Sequence, residues 1–261
     1  MDGLPYLRAG SGPALVLVHG YLGGAEQWVN EIAHFADRYD VIAPNLPGFG
    51  AAAERSGSTS IVGMARAILE RIETLGIGRF TLLGHSMGGM IVQEMARMRP
   101  ERVTRLVLYG TGPLGLMPDR FEPIATSMER LEADGVEASI RRIGATWFKT
   151  PETAEGYPLV CKIGARANPQ AAAHALCAMA DWDGREALST LTMPTLVIWG
   201  DTDRSYRWPQ VEALWKSLPD ARLSVIPGTA HAAHLEKPVL FHALIDDFLS
   251  EESATAATAI H

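Results

Sequence analysis

The amino-acid sequence predicts an α/β fold: a doubly wound, mostly parallel sheet with an inserted helical cap. Two observations lead to this prediction. Six short apolar runs alternate with amphipathic stretches, and this alternation is typical of strands and helices in a layered α/β sheet. One interval between two of the runs is far longer than a single crossover helix needs, which indicates an insertion.

The strands are predicted from runs without polar alternation, because a strand buried on both faces of a parallel sheet is apolar throughout. The first run is Ala14-Leu-Val-Leu-Val-His19. The other five lie at residues 40–43, 80–83, 105–109, 195–199 and 222–226.

Helices are predicted where apolar residues recur at spacings of three and four. This spacing occurs at residues 26–37, 59–75, 86–98, 207–217 and 237–250. The tail from Ser253 to His261 consists of small and polar residues, and we expect it to be frayed.

About 85 residues separate the run that ends near Gly110 from the run that begins near Thr195. We therefore predict a core formed by residues 1–111 and 189–252, with a helical cap at residues 112–188. The cap is rich in large apolar side chains, any of which could form lid core or pocket wall: Met117, Phe121, Met128, Trp147, Phe148, Tyr157, Met179 and Trp182. Trp147 and Trp182 are predicted to contact the substrate.

Gly84-His-Ser86-Met-Gly88 places a serine between two glycines, where an apolar run gives way to a helical pattern. This G-x-S-x-G motif predicts a nucleophile elbow. The sharp strand-to-helix turn strains the serine backbone, and side chains two residues away would collide. Ser86 is the predicted nucleophile, and its neighbour His85 is predicted to contact the substrate or to support the structure.

A serine hydroxyl needs a histidine to accept its proton and a carboxylate to orient that histidine. His231 is the predicted base because its loop follows the last strand, at the carboxyl edge where α/β sheets bind ligands. The rival His234 would lie about one turn into the next helix. Asp203 is the predicted acid, since Asp201 is closer to the strand end and would bind backbone amides of its own turn.

The oxyanion formed during attack on a carbonyl requires preorganised N–H donors. One predicted donor is the backbone of Met87, which follows the nucleophile at a helix N-terminus. The other is the backbone of Tyr21, in the loop after the first strand.

The net charge of −7 argues against nucleic acid or an anionic membrane surface as a partner, so we expect a small-molecule substrate. No apolar run reaches the ~18 residues of a membrane helix, and the N-terminus lacks signal-peptide features, which favours a cytoplasmic location. Cys161 and Cys177 are expected to be free thiols. No pattern in the sequence indicates an oligomeric state.

Three other patterns have competing interpretations. Gly48-Phe-Gly50-Ala-Ala-Ala53 loosely matches a dinucleotide fingerprint, but it does not run from a strand directly into a helix. The H-x-x-H spacing of His231 and His234 could bind a metal, with only Glu236 nearby as a third ligand. We predict no cofactor and no metal. Four cap cations could bind a substrate carboxylate or lie on solvated helix faces: Arg141, Arg142, Lys162 and Arg166.

Taken together, these motifs resemble the α/β-hydrolase fold superfamily over nearly the whole chain. The resemblance is carried by residues 19–20, 44–50, 84–89, 199–203, 228–231 and 236–238. It implies a Ser86–Asp203–His231 triad, an oxyanion hole from Tyr21 and Met87, a cap between the sixth and seventh strands, and no cofactor. Asn45 stands where the family usually carries Asp, a difference that we interpret as structural.

Within this superfamily the chain is similar to small serine esterases and lactonases, including the 3-oxoadipate enol-lactonase group. Ser86 replaces the nucleophilic Asp of haloalkane dehalogenases and epoxide hydrolases. The meta-cleavage carbon–carbon hydrolases are similar in size and cap, but typically carry Asn where this chain has His85. We expect hydrolysis of a small to medium carboxylic ester or lactone through an acyl-enzyme. The alternatives are carbon–carbon hydrolysis of a meta-cleavage-type dienone acid and, in another class, small-ligand binding without catalysis.

Overall fold

The computed structural model describes residues 3–251, which form a seven-stranded sheet in the order β1-β3-β2-β4-β5-β6-β7. Every neighbouring pair is parallel except β1 and β3, which pair antiparallel at the edge. The strands are β1 (Tyr6–Ala9), β2 (Ala14–Val18), β3 (Asp40–Pro44), β4 (Phe80–His85), β5 (Val103–Tyr109), β6 (Thr195–Gly200) and β7 (Ala221–Ile226).

Helices connect the strands and form most of the insertion. They are α1 (Val29–Phe35), α2 (Ile61–Thr74), α3 (Met87–Met98), α4 (Ile124–Ala145), α5 (Gly156–Gly164), α6 (Pro169–Ala180), α7 (Trp208–Ser217), α8 (Ala233–Glu236) and α9 (Pro238–Ser250). Short 3-10 turns lie at Ala25–Trp28, Gly50–Ala52 and Arg185–Thr190.

Two apolar layers cover the two faces of the sheet. The central strand β2 contributes side chains to both layers. Its residues alternate between the layers: Val16 and Val18 belong to one, while Leu15 and Leu17 belong to the other. Helices α2, α3 and α7 supply apolar side chains to the first layer, whereas α1 and α9 supply the second. Because both faces are covered, β2, β3 and β4 are buried at every position, and the predicted doubly wound α/β sheet is confirmed.

The six predicted runs correspond to β2–β7, but the sequence did not indicate β1. Its segment Tyr-Leu-Arg-Ala is four residues long and has no buried position, so it carries no apolar signal. Arg8 fixes this edge strand by donating two hydrogen bonds of 2.7 Å to the carboxylate of Asp40 on β3. The family resemblance implied a cap between the sixth and seventh strands. In this seven-stranded sheet the insertion instead lies between the fifth and sixth strands, β5 and β6.

The insertion contains α4, α5 and α6, and its two stems run side by side. Gly115 N donates to Trp182 O at 3.0 Å, and Gly184 N donates to Pro113 O at 2.9 Å. These bonds flank an antiparallel bridge between Leu114 and Asp183. The stems therefore lie close to the predicted cap limits of 112 and 188. The predicted frayed tail at 253–261 lies outside the described residues.

Within residues 3–251, no helix combines the length and the apolar composition that crossing a bilayer requires. Cys161 and Cys177 are both free thiols.

Candidate active site

Ser86 lies at the junction of β4 and α3 with φ 58° and ψ −122°, a strained backbone conformation for a residue with a side chain. Two backbone hydrogen bonds hold it there: Ser86 N donates to Tyr109 O at 3.0 Å, and Gly89 N donates to Ser86 O at 2.8 Å. The turn is therefore fixed both by the neighbouring strand and by the first turn of the helix.

The glycines on either side of Ser86 leave space for this turn. A Cβ at Gly84 would lie 2.3 Å from Gly88 O, and a Cβ at Gly88 would lie 2.3 Å from Val18 O. Contacts this short with backbone atoms could be relieved only by moving the strands. The G-x-S-x-G spacing thus follows from the close approach of α3 to β4 and β2.

Asp203 and His231 form a buried pair at the carboxyl ends of β6 and β7. His231 Nδ1 lies 2.8 Å from Asp203 Oδ2, and both side chains are essentially inaccessible. The other carboxylate oxygen, Oδ1, accepts from Ser205 N at 2.7 Å and from Tyr206 N at 3.1 Å. Because the carboxylate accepts the Nδ1 proton, Nε2 of the neutral imidazole is left as the proton acceptor.

Asp201 has a different role from the one predicted. Its Oδ1 accepts from Gly228 N at 2.6 Å, so it binds the loop that carries His231 rather than an amide of its own turn. Two aspartates two residues apart thus hold the same loop: Asp201 binds its backbone, and Asp203 binds the imidazole.

Ser86 and His231 line one cavity of about 20 Å³, which has room for about one water molecule. Tyr21, Trp147 and Tyr206 also line this cavity. Apolar side chains complete most of its remaining wall: Met117, Phe121, Ile124, Ile143 and Met179. The cavity therefore has a polar end at the core and a largely apolar roof from the insertion.

The segment after β2 lies directly against Ser86, as an oxyanion-binding loop must. A Cβ at Gly20 would lie 2.9 Å from Ser86 Cβ. His19 anchors the segment, since its Nδ1 donates to Gly20 O at 2.9 Å and its Nε2 accepts from Leu46 N at 3.0 Å. Burial lowers the pKa of His19 to about 4, so the ring is neutral. Met87, the first residue of α3, has a backbone N–H without an intrahelical acceptor.

His85 supports the catalytic loop from behind and does not line the cavity with Ser86. Its Nε2 donates to His231 O at 3.0 Å, and Gln27 Nε2 donates to its Nδ1 at 3.4 Å. Tyr109 Oη donates to the same carbonyl of His231 at 2.8 Å. Burial, followed by repulsion from His231, lowers the pKa of His85 well below its ordinary value. Of the two predicted roles of His85, the structure shows the supporting one and not the substrate contact.

His234, the rival base, packs beside Trp28 of the second apolar layer. The centroids of the His234 and Trp28 rings are 5.0 Å apart. Its Nδ1 is 3.1 Å from Tyr109 Oη. Burial lowers the pKa of His234 to about 3, so it is a neutral core histidine. Within the described residues, no group of three or more His, Cys, Asp or Glu side chains could hold a metal ion.

The two predicted tryptophan contacts have different surroundings. Trp147 lines the cavity, and its ring centroid lies 5.8 Å from that of His231. Trp182 instead lies at a stem of the insertion, where its Nε1 donates to Glu94 Oε1 on α3 at 3.0 Å. Trp182 is therefore placed to fasten the insertion to the core and does not line the cavity.

Sequence reasoning missed three polar residues of this cavity, Ser205, Tyr206 and Arg120. Tyr206 stacks on His231, with ring centroids 5.6 Å apart and planes 13° apart, and burial raises the pKa of its hydroxyl to about 12. Its position three residues after Asp203 was the available signal. Arg120 also lines the cavity, from the segment before α4. By contrast, the cap cations that the sequence singled out do not line it: Arg141, Arg142, Lys162 and Arg166.

Comparison with known proteins places this geometry in context. A model described as the alpha/beta hydrolase family matches residues 15–244. The 2-hydroxy-6-oxononadienedioate/2-hydroxy-6-oxononatrienedioate hydrolase of Burkholderia vietnamiensis is 32% identical, over 94% of this chain and 90% of that protein. The structure of an esterase from Thermogutta terrifontis is similar, with a TM-score of 0.85, 26% identity, and coverage of 94% and 92%. The enol-lactonase of Burkholderia xenovorans LB400 shares the fold, with a TM-score of 0.87, 21% identity, and coverage of 95% and 96%.

Proposed function

Because the chain belongs to the α/β-hydrolase family, we propose that it hydrolyses a small to medium carboxylic ester or lactone through an acyl-enzyme on Ser86. The observation that carries the proposal is the buried Asp203–His231 pair, whose histidine lines the same cavity as the strained Ser86. The apolar roof of the cavity favours a hydrophobic acyl group.

In the proposed reaction, Ser86 Oγ attacks the carbonyl carbon while His231 Nε2 accepts the hydroxyl proton. Asp203 holds the imidazole in the required tautomer and stabilises the imidazolium. The backbone N–H groups of Met87 and Tyr21 stabilise the oxyanion. His231 then protonates the leaving alkoxide, and in the second half it activates the water that releases the acid.

A second candidate function is carbon–carbon hydrolysis of a dienone acid. It is favoured by the relative from Burkholderia vietnamiensis, which at 32% identity is named as a hydrolase of such compounds. The esterase from Thermogutta terrifontis supports the first candidate at 26% identity. A non-catalytic binding protein would have no need of the strained Ser86 or of the Asp203–His231 pair.

The test is hydrolysis of p-nitrophenyl esters from acetate to octanoate, of simple lactones and of a dienone acid, by wild type and Ser86→Ala. We expect ester or lactone turnover that falls by several orders of magnitude in the variant, because the nucleophile is lost. Turnover restricted to the dienone acid would favour the second candidate. Near-native ester turnover by Ser86→Ala would contradict the acyl-enzyme.

A further inference from the structure

Arg120 is a cation in the wall of the Ser86 cavity that the proposed chemistry does not use. It is partly buried and lines the cavity together with Ser86, Tyr21 and Tyr206. It also borders a depression of about 500 Å³ on the outer side of the same wall, where Met117 and Ile124 are again neighbours. Arg120 therefore stands between the exterior and the nucleophile, on a path that a substrate could take.

The guanidinium of Arg120 lies over the ring of Phe121, 4.3 Å from its centroid, and Nη1 is its only nitrogen that is hydrogen-bonded to a described residue. Nη1 donates to Glu122 O at 2.6 Å and to Ser127 Oγ at 3.1 Å. Across residues 3–251, Nε and Nη2 make no hydrogen bond to protein, and no carboxylate forms an ion pair with Arg120. This free edge consists of Nε and Nη2. Arg8 uses the same two nitrogens to donate two hydrogen bonds of 2.7 Å to the carboxylate of Asp40.

Three guanidinium groups, those of Arg120, Arg130 and Arg142, lie around the carboxylate of Glu122, and Asp119 lines the outer depression. Glu122 is paired with Arg142 at 2.5 Å and with Arg130 at 3.3 Å. Within the part of the chain that the structure describes, this carboxylate is the cluster's only ion-pair partner, against three guanidinium groups. A second negative charge would thus be favoured here.

Two buried polar atoms near Arg120 also lack a partner among the described residues: Tyr21 Oη and Arg142 Nη2. Tyr21 lines the cavity and is only 4% exposed. Burial raises the pKa of Tyr21, although the nearby charges of Arg120 and Arg142 oppose this shift. A neutral phenol that donates no hydrogen bond to protein is suited to donate one to a bound anion.

From this geometry we infer that Arg120 and Tyr21 Oη form a subsite for a carboxylate on the substrate, a group separate from the carbonyl that Ser86 attacks. A carboxylate fits because the free Nε–Nη2 edge offers two parallel N–H donors to its two oxygens. The preferred substrate is then the monoester or lactone of an acid that carries a second carboxylate. This inference rests on the proposed ester or lactone hydrolysis and adds the charge of the substrate to it.

The test uses matched esters that differ only at the far end of the acyl chain. Mono-p-nitrophenyl adipate and suberate carry a terminal carboxylate, while p-nitrophenyl hexanoate and octanoate end in methyl. The measured quantity is the ratio of kcat/KM for the anionic ester to that for the neutral ester of the same length. We expect wild type to favour at least one anionic ester, and Arg120→Met to lower that ratio about 50-fold, because a charge-assisted pair is lost.

Arg130→Gln is the matched control, since it removes the same charge from a half-exposed arginine of the same cluster. We expect it to leave the ratio within about twofold, because surface pairs contribute little. Arg120→Lys keeps the charge but lacks the two parallel N–H donors of the guanidinium, so its kcat/KM ratio should be intermediate. This variant replaces Arg120→Met in the test if Arg120→Met fails to fold. An unchanged ratio in Arg120→Lys and Arg120→Met, or a wild type that favours the neutral esters, would overturn the inference while leaving the proposed function intact.

If wild type hydrolysed none of these esters, the proposed function would fail. The carboxylate subsite would then be tested by measuring the binding of a dicarboxylate. Calorimetric titration of adipate into wild type and Arg120→Met then gives the answer. Weaker binding to the variant by about tenfold or more would support the carboxylate subsite. Equal binding, or no binding to either protein, would overturn it.

Discussion

His231 is held by four residues from three separate segments of the chain. Asp203 Oδ2 binds its imidazole, while His85 Nε2 and Tyr109 Oη both donate to its backbone carbonyl. Tyr206 covers one face of the ring. With both the carbonyl and the ring fixed, little conformational freedom remains to be lost when the reacting groups assemble.

The two aspartates near His231 should respond differently to replacement. Asp203→Asn should lower kcat by about 10⁴-fold, because the amide cannot hold the imidazole in the tautomer that leaves Nε2 as acceptor. Asp201→Asn should lower kcat by less than about tenfold, since its bond to Gly228 N only supports the loop. Steady-state kinetics of both variants with a substrate of the wild type, with circular dichroism as the folding control, measures this. The reverse order of effects would make Asp201 the acid.

The sequence indicated Ser86, Asp203 and His231 because each stands in a short motif at the end of an apolar run. Tyr206 and Arg120 lie in irregular segments, where neither spacing nor periodicity marks a side chain that faces the cavity. For His85 the sequence left a substrate contact and a structural role both open, because its place beside Ser86 does not show which way the side chain points. The elbow turns it away from the cavity and towards His231 O.

At the scale of elements, side-chain caps account for where two helices, α2 and α6, begin. Ser60 Oγ accepts from Gly63 N at 3.0 Å at the start of α2. Asn168 Oδ1 accepts from Gln170 N and Ala171 N at the start of α6, where Pro169 is the first helical residue. The helices predicted for the core match α1, α2, α3, α7 and α9 within a few residues. Edge strand β1 was missed because an exposed strand shows no apolar run.

The start of α4 gives a prediction about pH. Burial acts to raise the pKa of Glu122, but hydrogen bonds from Ser127 and Arg142 outweigh it and lower this pKa below the ordinary 4.5. The carboxylate of Glu122 therefore binds a proton more tightly in the unfolded chain than in the folded protein. The stability that Glu122 contributes is therefore present above about pH 4.5, and it is lost as pH falls through the lower folded pKa.

Replacing Glu122 with Gln should reduce the free energy of unfolding by about 2 kcal/mol at neutral pH, where its bonds to Arg142 and Ser127 are charge-assisted. The difference from wild type should shrink as pH falls to about 3.5. Urea unfolding of both proteins across this range measures it, with Glu137→Gln as the control, because Glu137 pairs with Arg141 on the exposed surface. A difference that grows towards acid pH would contradict the sign of the shift.

For the whole molecule, one sheet joins two apolar layers, so the layers should unfold together. Leu17 and Ile68 are fully buried in opposite layers. Replacing either with Ala should cost about 3 kcal/mol, and the double variant about the sum, because the two sites share no partners. Val239→Ala is the control, since Val239 is 82% exposed. Unfolding followed by circular dichroism and tryptophan fluorescence should show coincident transitions, and separate transitions would mean independent layers.

The paired stems of the insertion have a consequence for how such a chain can change. Leu114 and Asp183 meet in an antiparallel bridge, so the roughly 70 residues between them leave and rejoin the core at one point. Ser86, Asp203 and His231 all lie outside that stretch, whereas Trp147, Met179 and Arg120 lie inside it. A foreign segment whose ends are equally close could be grafted there without altering the sheet. Exchange of the segment between these two points would then change the residues that contact the substrate, while Ser86, Asp203 and His231 would stay in place.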